Sequence, residues 1–134
     1  MASERVERLS EKYEKAKGKK KGSARDRREL RSTLEYLEAE GTYSRSFTGT
    51  DVERAFSIAG RYEKVADALE MTKYLSAILR SKSKRDIMDA ISEQEDPAEA
   101  LRMAKELAGY VGQTPEPFPV DVRKELTKYR KKPL

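Results

Sequence analysis

The sequence predicts an all-α protein, a compact bundle of five to six short helices with basic helical extensions at both termini. Three observations predict it. Apolar residues recur at three- and four-residue spacings along most of the chain, which gathers them on one face of a helix. No stretch sustains the period-two alternation of a half-buried strand, and the Asn-Gly hairpin turn is absent because the chain contains no Asn. Glycines and prolines fall where helices should end or begin. A length of 134 residues is that of one domain.

Residues 1–17 read as a highly charged helix whose apolar stripe is Val6, Leu9 and Tyr13. So thin a stripe does not offset the entropy of ordering, and a short helix is marginal alone. A basic, mobile arm is therefore expected over residues 1–22, ending in the linker Lys-Gly-Lys-Lys-Lys-Gly at 17–22. The helical domain is expected over 23–112. Ser23 with Asp26 resembles a capping box, opening a helix to about Glu40 with Leu30, Leu34 and Leu37 inward and Gly41 as its stop. Residues 41–49 read as a loop carrying Tyr43, Arg45 and Phe47. Thr50 and Glu53 form a second capping box, starting a helix with Val52, Ala55, Phe56 and Ala59 inward and Gly60 at its end. A helix over about 61–70 buries Val65, Ala66 and Leu69; Met71-Thr72 turns the chain; a further helix over about 73–81 carries Tyr74, Leu75, Ile78 and Leu79. Ser83 and Asp86 open another with Ile87, Met88 and Ile91 inward. Asp96-Pro97-Ala98-Glu99 combines an N-cap acid, proline at the first helical position and an acid two residues on. That helix is expected to reach Val111, with Leu101, Ala104, Leu107, Ala108 and Val111 inward, and to stop at Gly112. Pro115, Pro117 and Pro119 make 113–119 an extended spacer. A basic helix follows over 120–134, with Val122, Leu126 and Tyr129 as its apolar residues.

Charge along this chain is sorted. Residues 15–31 hold nine bases against two acids, and 120–134 six against two, whereas 32–119 hold 11 bases against 16 acids. The net charge of +5 thus hides two basic ends on an acidic middle. Blocks of like charge seek an external counter-charge, and nucleic acid is the commonest polyanion. A solvated tail, or an arm that docks on acidic protein, is the alternative. The bases expected to meet such a partner are Lys19, Lys20, Lys21, Arg25 and Arg28 at one end and Lys128, Arg130 and Lys131 at the other.

Catalysis has little to stand on. There is no Cys, so disulfides and thiolate metal sites are excluded, and no His, which removes the commonest general base and zinc ligand. The glycines form no phosphate-binding loop. Asp86, Asp89 and Glu93 share a helix face, an arrangement that more often is a solvated acidic surface than a cation site. The expectation is a non-enzyme with no catalytic residues, no metal, no cofactor and no small-molecule substrate. Lacking any run of about 18 apolar residues and any apolar leader at the N-terminus, the chain is expected to be cytoplasmic and to make no membrane contact. Few thermolabile residues beside abundant Lys, Arg and Glu is a composition found in thermophiles, and an archaeal source is the expectation.

Within residues 62–79, Val65-Ala66 and Leu69 occupy the small and apolar positions of a first helix, Met71 an apolar position after a turn, and Leu75, Ile78 and Leu79 the buried side of a second helix, with Gly60 just before. On these residues the stretch resembles the helix-turn-helix of small DNA-binding regulators, although Glu70 stands at the turn where that motif usually has Gly. The resemblance implies a second helix entering the major groove with Thr72, Lys73 and Tyr74 at the base edges. It also implies that Arg80, Lys82, Lys84 and Arg85 reach phosphates. Cations ending the helix over 73–81 also complement its dipole with no ligand, and two short helices packed in a bundle are the other reading of this stretch. In size and composition the chain is similar to the small helical subunits of archaeal CRISPR effector complexes and to accessory proteins of other archaeal ribonucleoproteins. Three classes therefore stay open: a helix-turn-helix DNA binder, a class that is often homodimeric; a subunit of a larger ribonucleoprotein assembly, contacting RNA and other protein subunits; and a protein-interaction module with basic tails.

Overall fold

The computed structural model describes residues 3–43, 47–113 and 126–129. It is all-α. Among the described residues, α-helices follow one another as α1 (Glu4–Glu14), α2 (Ala24–Tyr43), α3 (Gly49–Ala59), α4 (Val65–Ile78), α5 (Lys84–Glu93) and α6 (Pro97–Gln113), with a 3-10 turn at Gly18–Lys20 between α1 and α2. Among the described residues there is no strand. The chain divides into two compact units, Met1–Lys73 and Tyr74–Leu134, and α4 runs across the division.

In the first unit α1 lies antiparallel along α2 and also packs on α3. The expected mobile arm is not what residues 4–14 form. Val6 and Tyr13 are fully buried, and Leu9 nearly so. Polar contacts supply what the thin apolar stripe lacks. Ser3 caps α1 by accepting from the Val6 amide. Arg5 grips Glu38 of α2 through two hydrogen bonds of 2.6 Å, Arg31 of α2 binds the Glu7 carboxylate, and the Tyr13 hydroxyl donates to the buried carbonyl of Tyr62 at 2.5 Å. A count of apolar residues registers none of these.

Helix α2 turns Leu30, Leu34 and Leu37 inward, as the spacing predicts. It does not stop at Gly41 but continues to Tyr43. Gly41 serves a close approach instead, because a Cβ there would lie 2.5 Å from the Val52 side chain of α3. The capping box of α3 lies two residues earlier than predicted, at Thr48 and Asp51 rather than Thr50 and Glu53. Thr48 accepts from the Asp51 amide while the Asp51 carboxylate accepts from the Thr48 amide. Gly60 closes α3 as expected.

The turn predicted at Met71-Thr72 is absent. Residues 65–78 form one uninterrupted helix. No Gly or Pro occurs between Gly60 and Pro97 to break it, and the Thr72 hydroxyl is absorbed by donating to the Ala68 carbonyl one turn back, at 2.6 Å. Ala66, expected inward, is exposed on this helix.

In the second unit α5 packs against α6. Ile87, Met88 and Ile91 of α5 and Ala104 and Leu107 of α6 are buried as predicted, joined by Ala100 and Met103. Asp96 caps α6 by accepting from the Ala98 amide at 3.0 Å. Helix α6 continues through Gly112, its expected stop, to Gln113. Of the expected C-terminal helix, residues 126–129 are helical, with Leu126 buried. There the Gln94 side chain donates to the Tyr129 carbonyl at 2.9 Å, and the Tyr129 hydroxyl bonds to Glu106. The proline spacer, apart from Gln113, and Val122 lie outside the described residues.

Candidate functional site

The basic stretch is built as a braced turn leading into a helix, rather than a slack linker. After α1 the chain takes a 3-10 turn over Gly18–Lys20, flanked by Gly18 and Gly22 at φ of +62° and +63°. Such left-handed conformations suit glycine. Gly22 also abuts α4, since a Cβ there would come within 2.3 Å of Val65 Cγ1. Arg27, reaching back from the first turn of α2, donates to the carbonyls of Lys21 and Gly22 at 3.1 and 2.9 Å and lies 3.4 Å from the Glu14 carboxylate. Lys20 adds an ion pair with Glu63 at 3.4 Å. Ser23 begins α2 by accepting from the Asp26 amide at 3.0 Å.

Around this turn Lys19, Lys20, Arg25 and Arg28 are exposed and Lys21 is half-buried. The structure thus brings together the five N-terminal bases that the sequence singles out. The side chains of Lys17, Lys19, Lys21 and Arg28 make no ion pair among the described residues. Arg25 acts electrostatically on Glu29, whose carboxyl is held below the usual range first by a hydrogen bond from Lys73, then by the Lys73 charge. Arg25, Arg27 and Arg28 stand at the positive end of the α2 dipole, where only Asp26 offsets them within the first turn. An external anion would relieve that crowding of like charge.

Residues expected at base edges are placed otherwise. Thr72 is buried, with its hydroxyl turned back onto its own helix, so it is not a surface group. Lys73 is exposed but pairs with Glu29 at 2.6 Å, which sets it beside the Arg25–Arg28 face of α2 rather than at the start of a recognition helix. Two helices joined by a turn, as the resemblance implies for 62–79, are not the geometry found there. In the second unit Arg80 donates to the Ser76 carbonyl at the end of α4. Lys82 and Arg85 are exposed and Lys84 is half-buried. Lys128 is exposed, while Arg130 and Lys131 lie outside the described residues.

Sequence reasoning missed Arg27, which stands in a run of bases and whose role depends on which way the helix turns it. It also missed the role of Glu29. The groove between α1 and α3 is lined by Arg5, Arg8 and Lys12 over Leu9 and Phe56, but these bases are committed. Arg5 holds Glu38, Arg8 pairs with Glu4, and Lys12 donates to the carbonyls of Gly60 and Tyr62. Among the described residues no group of three or more acidic residues is placed to hold a metal ion, and no helix is long and apolar enough to cross a membrane. No family model matches the chain, and no curated protein and no solved structure is significantly similar to it.

Proposed function

We propose that this chain is a non-enzymatic nucleic-acid-binding protein that acts mainly through phosphate contacts from the braced turn and the start of α2. The observation that carries the reading is the set of cations at Lys17, Lys19, Lys21 and Arg28, unmatched among the described residues within a stretch of net charge +7. Phosphate contacts of this kind fix position without reading sequence. The uninterrupted helix over 65–78 favours such backbone contact over helix-turn-helix readout in that stretch.

The test is a salt-dependent titration of the full chain against duplex DNA, single-stranded DNA and structured RNA. Each neutralised phosphate contributes about −0.9 to the slope of log K against log salt on a duplex and about −0.7 on a single strand. The triple variant Lys19→Ala/Lys21→Ala/Arg28→Ala is expected to weaken binding and flatten the slope by about two to three. An unchanged slope would show that this surface does not meet the polyanion. Binding to acidic protein with none to nucleic acid at physiological salt would replace the reading altogether.

A further inference from the structure

Helix α2 presents a second kind of group on the side that carries Arg25 and Arg28. Tyr36 is 43% exposed and Tyr43 87% exposed, the large apolar side chains left most open among the described residues. At about 100° per residue, Arg25, Arg28, Ser32, Tyr36, Ala39 and Tyr43 fall within a stripe roughly 80° wide. All six are exposed, and the stripe lies opposite the buried Leu30, Leu34 and Leu37. At about 1.5 Å per residue it runs some 27 Å, with cations at its N-terminal end and aromatic rings at its C-terminal end.

The acids beside the stripe decide what can lie on it. Glu35, whose charge Arg31 compensates at 3.0 Å, and Glu40 flank the stripe on its two edges. A row of phosphates continued past Arg28 would find no further cation on the stripe and would pass the carboxylate of Glu40. A duplex keeps its phosphates outermost for its whole length and meets that repulsion. An unpaired strand can leave its phosphates over Lys19, Lys21, Arg25 and Arg28 and turn its bases onto the tyrosines. Stacking on aromatic faces is tolerant of sequence, because every base has a π-face.

We infer that the outer face of α2 is a binding site for single-stranded nucleic acid, with phosphates held at Arg25 and Arg28 and unstacked bases on Tyr36 and Tyr43. This rests on the nucleic-acid function proposed above. Nothing on the stripe distinguishes deoxyribose from ribose, so single-stranded DNA and RNA share the site.

The test compares the full chain with Tyr43→Ala, Tyr43→Phe and Tyr36→Ala by fluorescence anisotropy. Its probes are single-stranded DNA and RNA of one mixed sequence, the matching duplex, and an abasic strand of equal length, with circular dichroism as the check on folding. Each Tyr→Ala change is expected to weaken single-strand binding about fivefold or more. Tyr43→Phe is expected to retain it, and affinities for the duplex and the abasic strand are expected to stay within about twofold. If Tyr43→Ala and Tyr36→Ala leave single-strand affinity unchanged while Lys19→Ala/Lys21→Ala/Arg28→Ala weakens it, the stacking site is refuted and the phosphate-binding function stands. If the wild type binds none of the probes at physiological salt, both fall.

Discussion

Replacing Tyr13 with phenylalanine removes one oxygen and tests whether α1 is truly docked. The ring is 1% exposed and its hydroxyl donates to the Tyr62 carbonyl at 2.5 Å. That carbonyl also accepts from Lys12 at 3.0 Å, so the variant does not orphan it. The cost at neutral pH is then that of a single net hydrogen bond, about 1 kcal/mol. The pH dependence is more telling. Burial, with help from the Asp67 charge, pushes the Tyr13 hydroxyl up to about 12 from an ordinary 10. The folded state therefore holds its proton more tightly than the unfolded chain does. This contribution is fully present below pH 10 and is lost as pH rises through 12. Two pKa units correspond to roughly 2–3 kcal/mol. The wild type should be the more stable protein at pH 7, and Tyr13→Phe should overtake it by pH 12. Urea unfolding followed by circular dichroism across that range measures both differences, with contributions from the other tyrosines and the lysines common to the pair. Amide hydrogen exchange at pH 7 should show protection across Val6, Leu9 and Tyr13. Curves that superimpose at every pH, with no protection in α1, would mean that the helix is an arm after all.

Two further perturbations probe the braces of the same unit. Gly22→Ala should be clearly destabilising by thermal melting, by about 1–2 kcal/mol for the left-handed backbone with the Val65 clash in addition, whereas Gly18→Ala, which meets nothing within 4 Å, should show the backbone cost alone; equal losses would show that Gly22 is not packed against α4. Glu38 is held below its usual range, chiefly by hydrogen bonds from Arg5, so its stabilising share is present above about pH 4.5 and is lost as pH falls through the depressed value; Glu38→Gln should flatten the acid limb of the stability curve, and an acid limb identical to that of the wild type would refute the pairing.

The fold class was legible because helical periodicity is a local signal. Leu30, Leu34 and Leu37 point inward by spacing alone, and Asp96-Pro97 states its helix start in adjacent residues. Misreadings arose where partners distant in sequence decide the outcome. Gly41 and Gly112 carry the signature of a helix stop, yet helices run through both, and Gly41 is needed for the approach of α3. Thr72 has the chemistry of an N-cap, but a hydroxyl inside a helix can donate to its own i−4 carbonyl, and the side chain alone does not distinguish the two. The docking of α1 depends on partners between 24 and 49 residues away, Glu7 with Arg31, Arg5 with Glu38 and Tyr13 with Tyr62, which no window of 18 residues contains.

The site was legible as a stretch of charge but not as a set of ligands. Of the nine bases in residues 15–31, four are matched inside the fold: Lys15 by Glu11, Lys20 by Glu63, Arg27 by Glu14 and Arg31 by Glu7 and Glu35. Which four is a matter of helical rotation and of acids supplied by other helices. Arg27 and Arg28 are adjacent in sequence, yet one faces the turn and the other solvent. In the proposed function, the remaining five, Lys17, Lys19, Lys21, Arg25 and Arg28, would limit the share of this surface in the salt slope to about −4.5 on a duplex. The charges paired within the fold are not idle. By fixing the carbonyls of Lys21 and Gly22, Arg27 orders the backbone that carries Lys19 and Lys21 before any ligand arrives. Binding then costs less ordering entropy than a slack linker of the same composition would incur. In the proposed function, a surface of five cations would gain from the arginine that does not touch phosphate.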